Sequence, residues 1–71
     1  MKDEVKMVKV IEVIASSEIG FNEAAQNAVT EAAKTLKNIR SIYVKEMKGH
    51  VENDKIVSYA VNAQISFEIE K

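Results

Sequence analysis

A handful of side chains in this 71-residue chain are of the types that bind ligands, and their spacing limits the chemistry open to them. Lys45 and Lys48 offer two ammonium groups close together, each a serviceable point-charge partner for a phosphate, although lysines on an outward strand face are normally just solvated. Glu46, Glu52 and Asp54 would present oxygens to a hard cation if subunits brought several copies together. Without that convergence they are ordinary charged positions, and the metal site, if there is one, is left unassigned. Tyr43 reads either as an aromatic platform for a flat ligand or as a half-buried strand residue packing a neighbouring subunit. His50 is the sole histidine and reads as a surface or interface residue.

Catalysis finds little to work with. The chain has no cysteine nucleophile, no phosphate-cradling glycine loop, and no serine, histidine and carboxylate set within one subunit. The expectation is a protein that is not an enzyme. Ten Lys and Arg stand against eleven Asp and Glu, interspersed in sign, so the basic patch that phosphate neutralisation demands is missing and nucleic acid is not an expected partner. No apolar span reaches transmembrane length, and the charged start has no signal-like apolar stretch, so the expectation is a cytoplasmic protein that does not use a membrane.

The elements that must position these groups follow from periodicity. A β-branched run from Met7 to Ala15 predicts a first strand, with Ile11 and Val13 on one face and Val8, Val10 and Ile14 on the other, both at least partly covered. Ser16 to Gly20 is the turn. Apolar residues at Phe21, Ala24, Ala25, Ala28, Val29, Ala32 and Leu36 predict a helix from Phe21 to Lys37. Gly20 or Asn22 is expected to cap it, Glu23 to sit at its positive end, Lys34 and Lys37 at its negative end, and Asn38 to stop it. A second strand runs from Ile39 to Val51 and a turn from Glu52 to Lys55, where Asn and Asp tolerate positive φ. The third strand, Lys55 to Glu70, alternates without a break: Val57, Tyr59, Val61, Ala63, Ile65, Phe67 and Ile69 face one way, with Ser58, Ala60, Asn62, Gln64, Ser66 and Glu68 opposite.

No proline, two glycines and no repeat mark any boundary, so residues 1–71 read as one domain. A chain this short buries only about 60% of its unfolded surface, and without disulfides or a thiolate metal site it needs partner subunits. The third strand spans roughly 50 Å, whereas the predicted helix spans roughly 25 Å. Another copy must therefore shield the apolar positions that the helix leaves open.

The order strand, helix, long hairpin resembles the dodecin family. The likeness runs from about Val8 to Glu70, through Lys9-Val10-Ile11-Glu12-Val13, Ala24-Ala25-Gln26-Asn27-Ala28-Val29 and Thr35-Leu36-Lys37-Asn38-Ile39-Arg40. It continues in Val44-Lys45-Glu46, Val51-Glu52, Tyr59-Ala60-Val61-Asn62 and Ile65-Ser66-Phe67. The resemblance implies an α+β fold, a β-α-β-β subunit whose three-stranded antiparallel sheet packs around one helix. It also implies a hollow, tetrahedral homododecamer that binds flavin, riboflavin or FMN, between subunits without turnover, as a store or quencher. In the family a tryptophan stacks on the flavin ring and a glutamine hydrogen-bonds its polar edge. Those positions are Ser41 and Ala60 here, so the ring has no π platform unless Tyr43 supplies one, and a methyl makes no hydrogen bond. Ser41, Tyr43, Lys45, Lys48 and Ala60 are therefore the candidate flavin-site residues. The alternative is a dodecin-like assembly that takes calcium or another small molecule, or serves only as a structural shell. Where the family's tight turn commonly has glycine, this chain has Asp54.

Overall fold

The computed structural model describes residues 7–69, in which strand β1 (Met7–Ser17), helix α1 (Phe21–Ala32), strand β2 (Ile39–Glu52) and strand β3 (Lys55–Ile69) follow one another. β3 lies at the centre of a three-stranded antiparallel sheet ordered β1-β3-β2. Its strict alternation suits that place. Val61, Ala63 and Ile65, on one face, are at most 1% exposed, and Ala24 and Ala28 of α1 complete this small core. Ile11 and Val13 of β1 stand opposite Ile65 and Ala63 and are half-buried on the same face. Val8, Val10 and Ile14 point to the other face, which is open within one copy, Ile14 being 77% exposed. The expected cover on that side is absent from the single subunit.

The helix is shorter than its apolar spacing predicts. It ends at Ala32, and the amides of Lys34 and Thr35 bond back to the carbonyls of Glu31 and Ala32, three residues away, in a tight turn. Leu36 still reaches the cleft between helix and β1, beside Ile11 and Ala32, so the apolar period is kept while the α-helix is not. Lys34 lies beyond the last helical turn and pairs instead with Glu31 at 2.9 Å, and no basic residue occupies that turn. Gly20, with extended backbone, holds the N-cap position and no side chain caps the helix, so Asn22 does not. Asn27 ties α1 down by donating from Nδ2 to the Ser16 carbonyl at 3.0 Å. Asn38 has φ 63°, and this left-handed residue turns the chain into β2, six residues beyond the Ala32 end of the helix it was expected to stop.

Twelve helical residues span about 18 Å against about 50 Å for β3, so the helix covers even less of the strand than the sequence implies. At its start Phe21 meets Tyr59 edge-to-face, ring centres 5.0 Å apart, and this contact closes the core. Beyond it the hairpin runs on uncovered. Val51, Ile56 and Val57 are exposed there. The hairpin turns at Asn53 and Asp54, with φ of 52° and 65°, as the residue types predict.

Candidate functional site

The candidate residues all belong to β2 and β3, and alternation alone would divide them between faces. Ser41, Tyr43 and Lys45 share one parity and Lys48 the other. The structure resolves this through register shifts in β2, between Ile39 and Ser41 and again between Val44 and Glu46. Each shift inserts an extra residue, Arg40 or Lys45, and turns the following side chains over. Ser41 and Tyr43 therefore stand opposite Ser66 and Gln64, while Glu46 and Lys48 stand opposite Asn62 and Ala60, all on the sheet face away from α1. Sequence reasoning missed these bulges, and a charged residue inside an apolar run (Arg40, Lys45) is the signal that marks both.

At one end of this face the Ser41 and Ser66 hydroxyls hydrogen-bond each other. Arg40, on the bulge, grips Glu68 with its Nε 3.0 Å from Oε2 and its terminal nitrogen 3.1 Å from Oε1. Tyr43 follows, 65% exposed, its ring free of any aromatic partner among the described residues. Lys45 reaches across the central strand to Glu12 of β1, Nζ to Oε2 3.2 Å, so one ammonium of the expected pair is already committed to a carboxylate. Glu12 is a second residue that sequence reasoning passed over; it is the one acidic residue inside the apolar run of β1.

Lys48 and Ala60 are cross-strand neighbours and meet as a pair. Ser41 and Ala60 do not meet. Their partners place them six residues apart along β3, about 20 Å. A single subunit thus does not bring the two family ligand positions around one small molecule.

Clefts flank the sheet. One, of about 730 Å³, opens between β1 and α1 and is lined by Ile11, Val13, Asn27, Ala32 and Leu36, remote from the candidate residues. Another, of about 300 Å³, lies under Phe21, Ala25, Val44 and Met47. A third, of about 150 Å³, sits on the open face between Ile14, Glu46, Lys48, Ala60 and Asn62. Among the described residues no group of three or more His, Asp or Glu side chains is placed to hold a metal, and Glu46, Glu52 and Asp54 do not converge within one copy. His50 pairs with Glu52 at 3.4 Å on the exposed hairpin. No helix is long and apolar enough to cross a membrane among the described residues.

A three-stranded antiparallel sheet with one helix on one face and a mixed apolar and polar face left open defines a class: a small β-α-β-β subunit built to be completed by something else. Comparison with known proteins narrows that class. A family model described as Dodecin matches residues 7–70. A curated dodecin from Thermus thermophilus is 32% identical over 66 residues, 93% of this chain and 96% of that protein. The crystal structure of a point mutant of the same organism's dodecin superposes with a TM-score of 0.89 at 31% identity, covering 94% of this chain and all of that one. A crystal structure described as a calcium-chelating antigen, calcium dodecin from Mycobacterium tuberculosis, with a novel calcium-binding site, gives a TM-score of 0.77 at 28% identity, covering 90% of this chain and 91% of that one. The chain belongs to the dodecin family. That membership supports self-association and a small-ligand-binding role.

Proposed function

We propose that this chain assembles into a closed homododecamer and binds a flavin, riboflavin or FMN, at subunit interfaces without turning it over, acting as a store or buffer. One observation carries the reading. The open sheet face sets the exposed, unstacked Tyr43 ring and the exposed apolar Val8, Val10 and Ile14 beside hydrogen-bonding Ser41, Gln64 and Ser66. An apolar surface of this kind, on a chain too small for an ample core, favours burial against another copy, and a flat amphipathic ring system suits a face of mixed character. Because Ser41 and Ala60 lie about 20 Å apart on one subunit, a flavin touching both positions spans two copies. Tyr43 is the stacking group in this reading. Lys48 is the cation left for a flavin phosphate, since Lys45 is engaged by Glu12.

The test is the mass of the purified protein together with a riboflavin titration followed by fluorescence. A twelve-subunit mass and quenched emission at micromolar protein are expected; unchanged emission removes the flavin reading. A second reading is favoured by the likeness to a calcium-chelating dodecin and by Ser41 and Ala60. In it the shell takes calcium, with Glu46, Glu52 or Asp54 from several copies converging on one ion. Calorimetry with calcium distinguishes the two, and a silent titration discards the second.

A further inference from the structure

The two outer strands of the sheet have unlike edges. The free edge of β2 is broken by register shifts at Arg40 and Lys45, and such irregularities keep other strands from adding to it. β1 pairs with β3 without a shift from Met7 to Ser17, so its outer edge is regular. Two hydrogen bonds fix which of its backbone groups face outward. The amide of Glu68 donates to the Asn38 carbonyl at 3.0 Å, so the Glu68 backbone turns toward β2, as does every second residue before it along β3. Their partners in β1, Val8, Val10, Glu12 and Ile14, therefore turn their N–H and C=O groups away from β3. Ser16 continues that series, and its outward carbonyl is already taken by Asn27 Nδ2 at 3.0 Å. Among the described residues no strand or side chain answers the backbone groups of the other four. Beside this edge lies the open cleft of about 730 Å³, where Ala28 and Ala32 of α1 face Ile11 and Val13.

We infer that the β1 edge is completed by β1 of a second copy, antiparallel to it about a two-fold axis that passes beside Ile11. A row of free backbone donors and acceptors specifies an extended strand as its cover, and a chain of 71 residues needs its own copies to enlarge its core. The register follows from which groups are free. Setting Ile11 opposite itself pairs Val8 with Ile14 and Val10 with Glu12, which uses all the outward residues and leaves the Ser16 carbonyl to Asn27. Moving the axis to Glu12 sets that carboxylate against its own copy, where like charges destabilise. An axis at Val13 demands the Ser16 carbonyl, and one at Val10 pairs Ile14 with no residue of β1. The rotation keeps both helices on one side of the joined sheet, so the two clefts close on each other along the seam. On the other side the exposed Val8, Val10 and Ile14 of both copies run together as one apolar band.

The inference rests on the self-association proposed above, not on flavin. The chain has no cysteine, so a single introduced thiol reports its own contacts. Ile11 opposes its copy at a pair not joined by hydrogen bonds, where Cα atoms sit about 4.5 Å apart, within disulfide reach. Val13, on the same face, is displaced about 13 Å along the strand from its copy. After air oxidation of the assembled protein, Ile11→Cys is expected to give roughly tenfold more covalent dimer than Val13→Cys on a denaturing gel. Equal yields, or no dimer from Ile11→Cys, overturn the seam. Val10→Pro is the second measurement. Proline lacks the N–H that Val10 turns outward and is tolerated on an edge strand whose N–H faces solvent. The circular dichroism of this variant is expected to match wild type while its mass falls to smaller species, and a folded variant with the wild-type mass overturns the inference. Should the variant not fold, the cysteine pair decides alone. The two readings fail separately. A twelve-subunit wild-type mass with no Ile11→Cys dimer sinks the seam and spares the shell; an Ile11→Cys dimer with a native mass of two copies does the reverse.

Discussion

The Ser41 and Ser66 hydroxyls face each other across the β2–β3 pair and satisfy one another, where a dodecin of the flavin-binding kind carries a tryptophan on β2. The position is exposed and borders the free ring of Tyr43, so a large aromatic group has room there.

Ser41→Trp should therefore tighten riboflavin binding. Aromatic contact adds about 0.5–1.5 kcal/mol beyond area burial, or about a two- to twelve-fold lower Kd. The lost hydroxyl bond is exposed and costs about 1 kcal/mol or less of stability. Fluorescence titration of both proteins checks this, and identical dissociation constants would remove Ser41 from the site.

Burial on the two faces of the sheet predicts two distinct responses. Ile65→Ala, in the core, should lower stability by about 2–5 kcal/mol in denaturant titrations. Ile14 is exposed in one copy, and an isolated chain would register Ile14→Ala within about 0.5 kcal/mol. In the proposed shell the same change instead gives a midpoint that depends on protein concentration and a mass shifted toward smaller species. A concentration-independent midpoint for both proteins would argue against copies meeting on this face.

Asp54→Gly should stabilise the hairpin by up to about 1 kcal/mol. Asp54 is held at φ 65°, where a side chain crowds its own backbone and glycine does not. Thermal denaturation gives the sign directly, and a lower midpoint would mean that the Asp54 side chain supplies more than its strain removes.

How much of this was legible beforehand depended on the kind of signal. The period of two in β3 is unbroken, and it located Val61, Ala63 and Ile65 as core correctly. Asn53 and Asp54 announced the hairpin because few other residues tolerate left-handed backbone. The helix end was misplaced because Leu36 continues the apolar period through a tight turn, and spacing does not report which backbone hydrogen bonds form. The candidate ligand residues were found through family likeness, but their shared face was not readable from parity. Lys48 joins Tyr43 only because a bulge intervenes.

The Lys45–Glu12 pair should contribute little to stability despite crossing the sheet. Both side chains are substantially exposed, at 37% and 48%, and pairs of this sort are worth about 0–1 kcal/mol. Glu12→Gln is expected to change the denaturation midpoint by less than that, with the difference fading in high salt. What should rise is the affinity for a phosphate-bearing flavin relative to riboflavin, because Lys45 is released. An unchanged FMN-to-riboflavin preference would leave Lys48 as the sole phosphate partner.

The extra residue at Lys45 makes the effect of a length change in β2 depend on where it falls. Deleting Lys45 itself would restore simple alternation and keep Met47 and Lys48 on their present faces, whereas losing one residue from the regular stretch that follows would turn the side chains beyond the loss over. A single-codon loss is therefore absorbed at the bulge and ruinous a few residues further along. A gap drawn at Lys45 when aligning related chains keeps every downstream position on its face, and a gap drawn elsewhere in the strand does not.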